Sequence, residues 1–255
     1  MIKEVLQEAV KAGAAVLKEY FYKDFTITHK EGMNNLVTEA DIKAEQAIIS
    51  VIKTNFSEHS ILCEEEGSEQ QNSDYKWIID PIDGTVNFAH GVPICCVSVA
   101  VAYKDEVIIG AVYNPLMNEF FFAEKSKGAW LNEKPIKVST KQDFNKCFLV
   151  TGFPYKYPEG DKGPLYTVDK LVRMGLPIRR LGSAALDLCW VAAGRFDCYY
   201  EHHLEPWDSA AGALIVVEAG GTVTSFTGSE FSLYHTGIAA TNGLLHNQLI
   251  NTINS

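Results

Sequence analysis

The sequence predicts an α+β fold, and three observations carry the prediction. Apolar residues recur at helical spacing over residues 2–22. Three runs of β-branched and aromatic residues between 94 and 123 are joined by turns that suit antiparallel neighbours. Past residue 147, strands and helices are interleaved. A chain of 255 residues with 47% hydrophobic content can bury a full core. We expect a single unit, 1–255, of two packed halves, 1–140 and 147–255, because no repeat, low-complexity tract or flexible linker separates them.

The first helix sets Ile2, Val5, Leu6, Ala9, Val16, Leu17 and Tyr20 on one face with Gly13. Thr38 and Asp41 have the spacing of a capping box opening a second helix that carries Ile42, Ala44, Ile48, Ile49 and Ile52. Residues 61–63 read as a strand that empties into Glu64, Glu65, Glu66 and Gly67. The antiparallel meander follows over 94–103, 106–113 and 119–123, then a hairpin over 128–135 with 136–138 returning. In the second half we expect a strand at 147–151, a substrate-facing loop at 152–164, a helix at 164–174 and a strand at 178–181. Gly182 and Ser183 then cap a helix ended by Gly194. A strand at 196–200 and a helix at 209–219 follow, the helix opened by Pro206, Trp207 and Asp208. Its Ala210, Ala211, Gly212 and Ala213 face permits close approach by another element. Strands at 222–224 and 238–241 and a helix at 242–250 close the chain.

The stretch 75–91 organises the rest. Trp77, Ile78 and Ile79 read as a buried strand stopped by Asp80 and Pro81, so that Asp-Pro-Ile-Asp turns and aims the carboxylates of Asp80 and Asp83 toward one point. Two like charges that close need a cation, and hard oxygen donors at a strand end suit Mg²⁺. Gly84 lets backbone approach a ligand, and Thr85 adds a hydroxyl. Alone, the motif reads equally as a tight turn. Asp41 reads as a cap or as support for a metal site, the Glu64–Glu66 run as a solvated loop or as converging ligands, and Asp208 as dipole compensation or as a ligand. His202 and His203 are expected to face solvent.

A formal charge of −10 excludes a general nucleic-acid or anionic-membrane surface by long-range repulsion, leaving a small anion bridged by metal ions as the compatible partner. The amino terminus lacks the basic start and apolar run of a signal peptide, and no stretch approaches a membrane span. The six cysteines lack paired zinc spacing and read as reduced core residues of a cytoplasmic protein.

Taken in order, 35–41, Glu64 with Glu65, 77–88 and 207–212 resemble the inositol monophosphatase family of metal-dependent, lithium-sensitive phosphatases. The resemblance covers about 30–221. It implies a layered αβαβα sandwich, with two mixed or antiparallel sheets between helix layers, two or three Mg²⁺ ions, and a homodimer. It also implies that Glu64, Asp80, the Ile82 carbonyl, Asp83 and Asp208 ligate metal, with Glu65 near a weaker ion. By the same resemblance, Thr85 paired with Asp41 would orient the metal-bound water, with Glu64 beside them, and Gly84 and Thr85 would donate to phosphate. Asp83, Asp208, Glu201, Gly182, Ser183 and Ala184 are likewise implied to line the substrate site. Asn35 stands where many members have Asp, and Glu66 is an unusual third acid. The implied reaction is hydrolysis of a small phosphate monoester, myo-inositol 1-phosphate first. A bisphosphate nucleotidase, a fructose-1,6-bisphosphatase or broad sugar phosphatase, and a non-catalytic regulatory scaffold are the alternatives.

Overall fold

The computed structural model describes residues 1–23, 27–29, 36–154, 163–235 and 237–255, with 27–29 and 36 as backbone alone. Asn35 and most of the 152–164 loop lie outside the described residues. In chain order the first half runs α1 (Ile2–Tyr20), β1 (Ile27–His29), β2 (Leu36–Thr38), α2 (Glu39–Asn55), β3 (Ser60–Cys63), β4 (Ser68–Glu69), β5 (Tyr75–Asp83) and α3 (Thr85–Ala89). It continues with β6 (Cys96–Tyr103), β7 (Glu106–Asn114), β8 (Glu119–Glu124), β9 (Gly128–Leu131) and β10 (Lys134–Pro135). The second half is β11 (Leu149–Thr151), α4 (Gly163–Arg173), β12 (Ile178–Arg180), α5 (Ala184–Ala192), β13 (Cys198–His202), α6 (Pro206–Glu218), β14 (Thr222–Thr224), β15 (Gly237–Thr241) and α7 (His246–Asn254).

Two mixed sheets result. The larger is ordered β10-β9-β8-β7-β6-β5-β3-β4 and is antiparallel except where β3 runs parallel to β5. The smaller is ordered β12-β11-β13-β15-β14, with β11 parallel to both its neighbours. The period of two along β5 explains the layering. Trp77 and Ile79 point to one face, where α1 and α2 bury Leu6, Leu17, Ile48 and Ile52. Ile78 points to the other, where α5 and α6 bring Leu186, Leu188, Ile215 and Val216. The smaller sheet covers these helices with Val150, Tyr199 and Ala240, and carries Leu171 and Leu249 from α4 and α7 on its outer face. Helix and sheet layers therefore alternate as αβαβα, the architecture that the family resemblance implies.

The small-residue face of α6 does what its composition requires. A methyl built on Gly212 would stand 2.7 Å from the Cβ of Leu188 on α5, and one on Gly110 of β7 would stand 2.9 Å from the Cα of Ala211. Gly212→Ala is accordingly expected to lower stability by about 1–3 kcal/mol, the usual cost of overpacking a close helix contact, as measured by urea unfolding.

Four local expectations are corrected. β5 does not stop at Asp80: it runs to Asp83, which pairs with Cys96, and the register shifts between Asp80 and Asp83. Pro81 thus sits in an irregularity of the ladder, where its missing N–H leaves no gap. The Ile136–Val138 return strand is absent; its backbone bonds to Ala129 and Ala219 as irregular chain. β13 carries on through Glu201 and His202, and α6 starts at Pro206, capped reciprocally by Glu205 and Asp208. Ile42 of α2 is 44% exposed and does not join the core.

Candidate active site

A cavity of about 770 Å³ opens where the end of β5, the start of α5, the end of β13 and the start of α6 converge. Glu64, Asp80, Ile82, Asp83, Gly84 and Thr85 line it from the first half; Gly182, Ser183, Ala184, Glu201 and Asp208 line it from the second. The segments the sequence singles out are thus drawn together. Asp41 stands behind Thr85 rather than on the wall, its Oδ1 3.2 Å from the Thr85 hydroxyl. Glu65 is outside the lining, its N–H donating to Glu45.

The β5 irregularity aims the two aspartates differently. Asp83 reaches across to the second half, where its Oδ2 accepts from the Ser183 hydroxyl at 2.6 Å and the Ala185 N–H at 2.8 Å. Its Oδ1 accepts from the Ala184 N–H at 3.2 Å. Ser183, the residue before α5, therefore directs its hydroxyl to Asp83 instead of capping its own helix. Asp80 is buried and its Oδ1 has no hydrogen-bond partner. After them the chain corners sharply. Gly84 adopts φ +91°, and a Cβ there would stand 2.8 Å from the Ile94 carbonyl, so only glycine fits. Thr85 opens α3 and its hydroxyl lies 2.9 Å from the Ile82 carbonyl. Asn87 pins the corner to the second half by donating to the Leu181 carbonyl at 2.7 Å.

Charge in this cavity is crowded. Burial raises the Asp80 carboxyl well above the usual range, and Glu64, Asp83, Asp208 and Asp41 push it further. Asp208 is raised by burial and by Asp83, against which its bond from the Glu205 N–H works. Asp83 is raised by burial despite its donors from Ser183, Ala185 and Ala184. Asp41 is pushed up to about 7, chiefly by burial, although it closes the predicted capping box by accepting from the Thr38 N–H at 2.7 Å. Glu201 is also raised by burial to about 7.

Acids repelling one another in a buried wall fit a divalent cation. Asp80 Oδ1 is an orphaned acceptor, and Asp83 Oδ1 takes one donor, the Ala184 N–H, while Ser183, Ala185 and Cys96 all turn to Oδ2, so Oδ1 keeps a lone pair for an ion. Among the described residues, no three His, Cys, Asp or Glu side chains stand gathered as a ligating cluster, so closing on an ion asks for side-chain movement.

Sequence reasoning missed several residues here. Glu45 on α2 is fully buried and accepts from the backbone N–H of Glu65 and Glu66, which fixes the acidic loop; an acid four residues after Asp41 on the same helix face was the signal. Asp187 on α5 is buried with neither carboxyl oxygen hydrogen-bonded, and burial, then Glu201 and Asp83, holds its pKa well above normal. His202 and His203 line the cavity, and only His203 is exposed; the His202 ring packs 4.3 Å from Phe226. The six cysteines are all buried and free. Among the described residues, no helix is long and apolar enough to cross a membrane.

The family model described as "Inositol monophosphatase family" matches residues 1–255. The chain is 43% identical over 247 residues to "Inositol-1-monophosphatase" of Synechocystis sp., covering 96% of this chain and 86% of that protein. It is 40% identical over 254 residues to "Nus factor SuhB" of Haemophilus influenzae, covering 99% and 95%. The crystal structure of extragenic suppressor protein suhB from Bartonella henselae superposes with a TM-score of 0.94 at 32% identity, covering 100% of this chain and 98% of that one.

Proposed function

Since the chain belongs to the inositol monophosphatase family, we propose that it hydrolyses a small phosphate monoester, myo-inositol 1-phosphate first, in the cavity between its two halves. The observation that carries this reading is the meeting of Asp80, Asp83, Glu64 and Asp208 in one wall beside Gly84 and Thr85. The fold family implies Mg²⁺, two or three ions, and Glu64, Asp80, the Ile82 carbonyl, Asp83 and Asp208 would hold it, with Glu65 near an outer ion. When bound, a divalent cation supplies the positive charge this wall lacks and acidifies water for attack on phosphorus.

The chain's own groups do the rest. Thr85 has one hydroxyl proton and two acceptors within reach, Ile82 O at 2.9 Å and Asp41 Oδ1 at 3.2 Å, so it can donate to either and would accept from the attacking water. The family resemblance implies that the backbone N–H groups of Gly84 and Thr85 donate to the phosphate. Glu201, Gly182, Ser183 and Ala184, which line the same cavity from the second half, would meet the alcohol. No serine or cysteine nucleophile is required.

Phosphate release from a panel of monoesters, with Mg²⁺ and then with EDTA, tests the reading: activity that needs the divalent ion and favours inositol phosphate is expected, and activity that survives EDTA contradicts it. Millimolar Li⁺ inhibition and a homodimer complete the proposal. The name Nus factor SuhB borne by similar proteins favours a second reading, a regulatory role apart from turnover. Under that reading a variant without phosphatase activity still complements loss of the protein.

A further inference from the structure

The carboxylate of Glu201 is held from two sides by residues that the reaction itself does not use. Glu201 and Tyr199 stand two apart on β13, so their side chains share a face. The buried Tyr199 hydroxyl donates to Glu201 Oε2 at 2.7 Å. On the other side, β11 runs parallel to β13 with Thr151 opposite Tyr200, which brings the next residue, Gly152, alongside Glu201. The Thr151 hydroxyl locks that register by donating to the Tyr200 carbonyl at 2.6 Å. A Cβ built on Gly152 would lie 2.0 Å from Glu201 Oε1 and 2.2 Å from both Cδ and Oε2. The glycine is therefore there for space: the carboxylate lies directly against its bare Cα.

Resting on the reading that this cavity cleaves a polyol phosphate, we propose that Gly152 and Tyr199 are positioning residues that seat Glu201, and that this seat makes the site choose its substrate by the hydroxyls of the alcohol. Gly152 forms a floor that no side chain shares, and Tyr199 uses its single proton to tether Oε2. Oε1 is left to accept a hydroxyl from the cavity. A floor and a tether fix the acceptor more tightly than its own flexible stem allows, and geometric loss at such an acceptor falls on substrates that hydrogen-bond to it.

The test compares myo-inositol 1-phosphate with p-nitrophenyl phosphate, whose leaving group offers no hydroxyl to Glu201. Gly152→Ala and Tyr199→Phe are each expected to lower kcat/KM for the inositol ester by about 10- to 100-fold, the range for losing a hydrogen bond to a charged group, with the aryl ester changed by less than about threefold. Adding Glu201→Ala to Gly152→Ala removes the clash and is expected to restore the Tm that Gly152→Ala lowers. Equal losses on both esters, or none on either, overturn the positioning role; Tyr199→Phe decides the matter if Gly152→Ala does not fold. A wild-type protein that shows no preference for the inositol ester overturns the functional reading instead, and the seat falls with it.

Discussion

Asp80→Asn is expected to abolish turnover and, in EDTA, to melt at a higher temperature than the wild type. The loss of kcat/KM should be on the order of 10³, the upper end for removal of one preorganised electrostatic contact. The gain in stability follows from the environment of the side chain. Asp80 is 1% exposed, one of its oxygens has no donor, and Glu64, Asp83, Asp208 and Asp41 all repel its charge. A neutral amide of the same shape escapes both the repulsion and the burial of charge. Each ~1 kcal/mol recovered corresponds to roughly 2–4 °C for a domain of this size. Asp83→Asn should lose activity in the same way but not gain stability. Its oxygens accept from Ser183, Ala184 and Ala185, and an amide would turn an N–H toward one of those donors. Thermal melts in EDTA with phosphate assays in Mg²⁺ read both halves of the contrast, and an Asp80→Asn protein that melts lower than the wild type would contradict it.

The divalent-free protein should lose stability as pH rises from about 4 to 7, and a divalent cation should return it. Asp41 and Glu201 are raised to about 7, and Asp80, Asp83 and Asp208 are raised as well. Carboxyls that titrate higher when folded hold protons the unfolded chain has released, so the folded state is favoured below the unfolded value near 4. That advantage disappears progressively as pH climbs to the folded value. For Asp41 alone, a rise of about three units is on the order of 4 kcal/mol. A cation that binds only the folded state at 100 times its Kd adds about 2.7 kcal/mol, and more of it at high pH, where the ligands are ionised. Urea unfolding across pH 4–8, with EDTA and with Mg²⁺, measures both slopes. A flat profile in EDTA would refute the crowding of charge on which this rests.

Most of the fold was legible because its signals are periodic. The capping box of Thr38 and Asp41, the meander from β6 to β8 and the α6 glycine face all came through, since each depends on neighbours in sequence. The continuation of β5 past Pro81 was not legible, because it depends on Cys96 pairing with Asp83 across a register shift. The same limit applies within the site. The acids announced themselves by type and spacing, whereas the use of Ser183, Glu45 and Gly152 is set by partners 100, 20 and 49 positions away. No local pattern marks a hydroxyl that abandons its own helix for a distant carboxylate.

Mn²⁺ soaked into crystals and located by its anomalous scattering would show whether acids from both halves grip one set of ions. Ions are expected in the cavity within roughly 2.2 Å of oxygens of Glu64, Asp80 and Asp83 from one half and Asp208 from the other, the distance direct ligation requires. Anomalous peaks confined to other parts of the surface, with none among these four carboxylates, would contradict it.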